Sequence, residues 1–220
     1  NFARDPLNIK APEPDTAFTL LAALFAYREA LALANPFEYV CHIAVAMDAT
    51  CSGLQHFSAM LRDPIGGLYT NLVDNGADQK SDIYKHVGQL ADGMKGACTK
   101  DAAIANWWSD KAIPRSMAKR PVMTYVYGAT LQSTMEYVSL DMHAMNMQPI
   151  KDTEGKPLYS LHKLSVPVAM ALRKGVAQAV PSAAAGMAYL HSLVRASAEP
   201  IRWINAVGMP VINWVETETV

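Results

Sequence analysis

Ala44-Val45-Ala46-Met47-Asp48-Ala49-Thr50-Cys51-Ser52-Gly53-Leu54-Gln55-His56-Phe57-Ser58 is the stretch on which the reading of this chain turns. Residues 41–47 are short, continuous and apolar, the pattern of a buried strand. Asp48 stands where that strand would end, the place where α/β folds gather ligand-binding groups. Residues 53–62 follow with Leu54, Phe57, Met60 and Leu61 at helical spacing. A strand-end carboxylate can give a Mg²⁺ ion one oxygen, and the next backbone carbonyl another. The structural alternative is an Asp that caps the turn after it.

Sixty-seven residues on comes Arg115-Ser-Met-Ala-Lys119-Arg-Pro-Val-Met123-Thr-Tyr-Val-Tyr127-Gly128. Arg115, Lys119, Met123 and Tyr127 recur every four residues. On one helix they form a stripe drifting about 40° per step. Two cations near its start can grip a triphosphate, Arg115 as a fork and Lys119 as a mobile point charge. Lys119 can also protonate a leaving pyrophosphate. Tyr127 then lies towards the sugar, where its hydroxyl can sense a ribose 2′-OH. Gly128 allows close approach of a backbone or base. The alternative is a solvated basic face with a core tyrosine.

The rest of the chain frames these segments. It has 220 residues, 51% of them apolar, enough for a sizeable core. With 19 basic against 20 acidic residues it has no general basic coat, yet Lys111, Arg115, Lys119 and Arg120 cluster within ten residues. Cys41, Cys51 and Cys98 have no metal-site spacing and read as reduced, small buried side chains. No apolar run is long enough to span a bilayer. Residues 18–34 read instead as a core helix, begun by Asp15 or Thr16 and ended by Pro36. Asp63-Pro-Ile-Gly-Gly67 reads as a break. Further helices are expected over 78–98, 101–111, 115–138 with a kink or late start at Pro121, 166–180 and 182–199. A polar turn is expected near Glu154-Gly155, and a β-hairpin over 201–215. The fold class is mainly α with a small β component, α+β. Both ends read as cut, so the chain is expected to be a piece of a longer protein.

Other candidates carry two readings each. His56 sits in the Asp48 segment but can simply be packed and hydrogen-bonded. Tyr84 can stack on a base or be core. Arg62 can contact a template or pair with Asp63. Adjacent Trp107 and Trp108 cannot share a helix face, so at least one is expected in the core. Walker, HExxH, G-x-S-x-G and Rossmann patterns are absent.

Asp48 to Asp63 closely resembles motif A of the single-subunit RNA polymerases of bacteriophages and mitochondria, and Arg115 to Gly128 resembles their motif B. Trp203-Ile-Asn-Ala-Val-Gly-Met-Pro-Val211 looks like the segment leading to their promoter-specificity loop. The likeness runs from about Pro36 to the end. It implies part of a right-hand polymerase: 1–54 in the palm, 55–199 in the fingers, and 200–220 a hairpin towards the specificity loop. It implies DNA-directed synthesis of RNA with Mg²⁺ in a two-metal site. Asp48 and the Ala49 carbonyl would hold metal. Arg115 and Lys119 would hold the triphosphate, with Lys119 also the acid. Tyr127 and Gly128 would face the nucleotide, and Ser52, Gly53, His56, Arg62 and Tyr84 would have nucleic-acid or secondary roles.

Partners would be promoter and template DNA, RNA product, ribonucleoside triphosphates and the remainder of the polymerase, with no membrane. The setting would be the cytoplasm of an infected bacterium, preferred to a mitochondrion because of the compact motif spacing. Ala49 replaces the family's usual Gly, which a backbone ligand survives. The His-Asp-Ser motif with the second metal aspartate has no match here, so the chain alone is expected to be inactive. The alternatives are a family A DNA polymerase fragment, disfavoured because Ser52-Gly53-Leu54 lacks the Glu that blocks a 2′-OH, and a non-catalytic nucleic-acid-binding half of a split polymerase.

Overall fold

The computed structural model describes residues 4–5, 10, 16–45, 47–74, 76, 80–197 and 200–213. Contacts divide the chain into two units, Asn1–Asp48 and Ala49–Val220.

The first unit holds helix α1, Ala17–Leu31, and a 3₁₀ turn, Pro36–Glu38. Asn35 caps that turn by accepting the Phe37 N–H, so α1 stops short of Pro36 as the proline requires. Tyr39 donates its hydroxyl to Glu29 at 3.0 Å. The structure buries no α1 residue, which corrects the expectation of a core helix. Among the described residues of its own unit, α1 has only a short turn to pack on, too little to enclose a helix. Residues 41–45 and 47 form no strand either; residue 46 lies outside the described set. A strand exists only through a neighbour that takes its hydrogen bonds, and no described strand pairs with this run. Cys41 is exposed, against the expectation of burial, whereas Cys51 and Cys98 are buried.

The second unit is a helical body around α8, Leu161–Ala179. Ser160 caps it by accepting the Lys163 N–H, so it begins before residue 166. Eleven of its residues are buried, among them Leu164, Val168, Leu172 and Val176. They pack against α4 (Ile83–Met94), α6 (Arg115–Tyr125) and α7 (Leu131–Ala144). The apolar spacing in α4 puts Ile83, Val87 and Ala91 inside. A 3₁₀ turn, Lys95–Cys98, extends it, and α5 (Ala102–Ser109) follows from an Asp101 cap. Trp108 is buried and donates its indole N–H to Leu164 O at 2.8 Å, while Trp107 lies at the edge with Lys111 over its ring. α2 (Ser52–Met60) packs on α9 (Pro181–Ala196), where Gly186 leaves space for Phe57 and Leu61.

Two further boundaries differ from expectation. Residues 63–67 are not a break. Asp63 accepts the Ile65 N–H, Pro64 takes the first helical position, and a short helix α3, Pro64–Tyr69, forms. The helix expected over 115–138 is two helices: Pro121 is accommodated inside α6, and the chain breaks after it. Gly128 has φ +83°. The Gly128 N–H bonds Tyr125 O and the Ala129 N–H reaches back to Thr124 O, the closing pattern of a Schellman turn with glycine at its left-handed position. Thr130 then caps α7 by accepting the Ser133 N–H.

The β component is two antiparallel hairpins. β1 (Ile150–Lys151) pairs with β2 (Pro157–Tyr159) around the expected turn at Glu154-Gly155. β3 (Ile201–Ile204) pairs with β4 (Pro210–Asn213). In the second turn the Asn205 carboxamide oxygen accepts the Val207 and Met209 N–H groups, and Gly208 has φ +83°. The expected β-strand at 214–215 lies outside the described residues.

Candidate nucleotide site

Arg115 and Lys119 lie one turn apart on the exposed side of α6. The opposite side, Met117, Ala118, Pro121 and Val122, is buried. The core therefore fixes which way the two cations face. Pro114 occupies the position before the helix, and its carbonyl accepts the Met117 and Ala118 N–H groups.

Arg115 is held on two sides. Its Nε–H donates to Asp82 Oδ2 at 2.5 Å. Its guanidinium carbon stands 5.0 Å from the centre of the Tyr84 ring. Asp82 precedes α4, and its Oδ1 accepts the Lys85 N–H at 3.1 Å. Burial pushes the Asp82 carboxyl up, but the Arg115 hydrogen bond and charge and the Lys85 and Tyr84 amides together hold it below the usual carboxylate range. Tyr84 is buried, and its phenol, next to the Cys51 thiol, is pushed up to about 12, chiefly by burial. Burial likewise raises the Cys51 thiol. Both groups stay neutral near pH 7. Of the two readings of Tyr84, the structure shows a core ring with a cation on it.

Lys119 is exposed beside a hollow of about 330 Å³ that Ser116, Arg120, Met123, Thr124 and Asp141 also line. Burial raises the Asp141 carboxyl and the Arg120 charge opposes it. The guanidinium of Arg120 lies over the Tyr137 ring at 5.2 Å.

Tyr127 is not on the α6 stripe, because the helix has ended at Tyr125. It sits in the closing turn and is 72% exposed. The core grips that turn: the Arg173 guanidinium of α8 donates to Ala129 O at 2.5 Å and lies 5.4 Å from the Tyr125 ring centre. The Tyr127 hydroxyl comes to rest over Gly53 at the start of α2. A Cβ on Gly53 would stand 3.1 Å from that hydroxyl and 2.5 Å from Val126 Cγ2, so any larger residue would move them. Thus the two quoted segments meet at Gly53 and Tyr127. Gly128 takes the positive φ that favours glycine, and among the described residues a Cβ there would meet His191 Nε2, at 4.0 Å.

The remaining candidates are more scattered. Ser52 begins α2 and is exposed, as is His56 on the same helix. Arg62 is exposed with φ +53° after α2; Asp63 beside it is buried and caps α3 through Oδ1, while its Oδ2 has no hydrogen-bond partner among the described residues. Asp48 is exposed and ends the first unit, and Ala49 opens the second. Their oxygens suit a hard cation such as Mg²⁺ in kind. In number they do not complete a site: among the described residues no group of three His, Cys, Asp or Glu could hold a metal. No described helix is long and apolar enough to cross a membrane. Sequence reasoning passed over Asp82 and Asp141. The signal for Asp82 was present, an Asp directly before the apolar positions of α4. Asp141 carries no such signal, because its place at the hollow depends on the packing of α7 against α6.

A family model described as DNA-dependent RNA polymerase matches residues 1–218. The chain is similar to the DNA-directed RNA polymerase of Pseudomonas phage phiKMV, 35% identical over 219 residues, which cover 95% of this chain and 26% of that protein. It is similar to the chloroplastic DNA-directed RNA polymerase 3 of Nicotiana sylvestris, 27% identical over 223 residues, 96% of this chain and 22% of that protein. The mitochondrial enzyme of Schizosaccharomyces pombe is 36% identical over 129 residues, 57% of this chain and 11% of that protein. The chain thus spans about a quarter of the length of the first of these relatives. The match along nearly its whole length places it plainly: the chain belongs to the DNA-dependent RNA polymerase family, of the type found in phages and organelles.

Proposed function

We propose that this chain is the nucleotide-gripping part of a single-subunit polymerase that makes RNA on a DNA template. The observation that carries the reading is the outward-facing Arg115 and Lys119 on α6, with Tyr127 beyond its end resting on Gly53. Phosphoryl transfer asks a protein for positioned charge rather than covalent chemistry. Arg115 binds the triphosphate as a planar donor, and Lys119 neutralises charge and gives a proton to the departing pyrophosphate. Tyr127, fixed by the Gly128 turn, reads the sugar through its hydroxyl. Asp48 and the Ala49 carbonyl hold Mg²⁺ together with carboxylates from elsewhere in the full enzyme. Held there, Mg²⁺ would supply Lewis-acid stabilisation of the charge that develops on the phosphates.

On this reading residues 1–54 belong to the palm, 55–199 to the fingers, and 200–220 lead towards the promoter-recognition loop. Ser52, His56 and Arg62, exposed around α2, face nucleic acid. The partners are promoter and template DNA, the RNA product, ribonucleoside triphosphates and the rest of the polymerase, working in the cytoplasm of an infected bacterium. The similarity to a phage enzyme supports that setting.

The test is a promoter-template extension assay with the full-length polymerase, in which ribo- and deoxyribonucleotides compete. Wild type is expected to extend with ribonucleotides. Tyr127→Phe is expected to raise relative deoxynucleotide use by up to about ten-fold, the worth of one hydrogen bond. No templated product from the wild type would overturn the function, and an unchanged ratio would overturn the role of Tyr127.

A further inference from the structure

Asp82 lies outside both of these segments, yet its carboxylate accepts a hydrogen bond from the first cation of α6. Its two carboxylate oxygens do different things. Oδ1 takes the Lys85 N–H and so is tied to the start of α4. Oδ2 takes the Nε–H of Arg115. The carboxylate is thereby locked before it meets the arginine. Tyr84, two residues on, supplies the floor: its buried ring lies under the guanidinium, and its phenol is anchored at Cys51. An arginine carries five N–H donors in a rigid plane. The Asp82 contact uses the Nε–H and leaves the two terminal nitrogens, and the Arg115 side chain is still half exposed.

We infer that Asp82 is a positioning residue for the nucleotide site, holding the Arg115 guanidinium in one orientation with its terminal N–H groups open to a triphosphate. The inference rests on the reading of Arg115 as a triphosphate ligand. A long cation normally loses its side-chain freedom when it captures a phosphate, and that loss weakens binding. Here Asp82 and Tyr84 impose the order beforehand. The carboxylate also offsets part of the arginine charge. The preorganisation outweighs this, because one hydrogen bond to Nε leaves the delocalised charge on the outer nitrogens available.

The experiment uses the full-length polymerase on a promoter template, with initial rates measured against nucleotide concentration. Asp82→Asn keeps a good helix cap and removes the charge. Asp82→Ser is a second capping replacement in case the first folds poorly. Arg115→Ala and the double variant complete a cycle. Asp82→Asn is expected to raise KM for all four ribonucleotides about three- to ten-fold, with kcat within about two-fold. In the Arg115→Ala background it is expected to add nothing, whereas a general folding defect would lower kcat in both backgrounds. A rise in KM for Arg115→Ala with none for Asp82→Asn and Asp82→Ser would overturn the inference. So would a fall in KM for the Asp82 variants, or an equal rise in the absence of Arg115. An unchanged KM for Arg115→Ala itself would overturn the triphosphate reading beneath it.

Discussion

The stretch around Asp48 and the stretch around Arg115 are equally conspicuous in the sequence, but the chain builds them to different degrees. Arg115 and Lys119 stand on a helix whose other side is buried, closed by a glycine turn and held there by Arg173. Asp48 is exposed, and the apolar residues before it form no described strand. Interaction range accounts for the contrast. A helix satisfies its hydrogen bonds within four residues, and α6 needs only α4, α7 and α8 to bury one face. A strand takes its hydrogen bonds from another strand, which can come from anywhere in a chain. A carboxylate at a strand end therefore depends on distant parts of the chain, while a cationic helix needs only its near neighbours.

The largest effect is expected at Asp48. On the proposed reading, Asp48→Asn in the full-length polymerase lowers nucleotide addition by about 10³-fold or more, with promoter binding by mobility shift unchanged. Near-normal synthesis would remove Asp48 from the chemistry. Leu172→Ala comes next. It empties a fully buried position in the helix that carries α6, and about 2–5 kcal/mol of stability is expected to go with it in a denaturant melt. A loss under 1 kcal/mol would show that α6 does not depend on α8 for its place. The smallest is Gly128→Ala. There is room for the methyl group but not for the backbone angle, so about 1–2 kcal/mol is expected. Its deoxynucleotide discrimination should drift towards that of Tyr127→Phe; a destabilised variant with unaltered discrimination would separate the turn from the tyrosine.

Local rules explain what could be read from the sequence. Apolar spacing marked α2 and α4, and turn residues marked the hairpin of β3 and β4 and the turn, but not the strands, of the other hairpin. The identities of Arg115, Lys119 and Tyr127 were sufficient to suggest a triphosphate site, and the mainly helical fold with small β elements follows the pattern. Errors came where one local rule met another. The Pro121 rule suggested a kink, and the Gly128 turn, seven residues on, was the real boundary. Gly66 and Gly67 looked like a break, although Asp63-Pro64 is a better helix start than the glycines are a stop. The Asp82–Arg115 pair joins residues 33 apart and could not be seen without the packing of α4 on α6. The apolar character of residues 18–34 and 41–47 predicted burial, but their partners do not lie among the described elements of their own unit.

The break after Tyr125 has a consequence for the direction in which a nucleotide can lie. The peptide dipoles of α6 add up to a partial positive pole at Arg115 and a partial negative pole near Tyr127. Eleven residues at 1.5 Å each separate these poles by roughly 16 Å. Phosphates are drawn to one end and mildly repelled from the other, so the helix itself has a polarity that agrees with the triphosphate-to-sugar order proposed for Arg115, Lys119 and Tyr127. Had the helix run on to residue 138, that negative pole would lie some three turns further away, and the tyrosine would sit in the middle of a neutral rod.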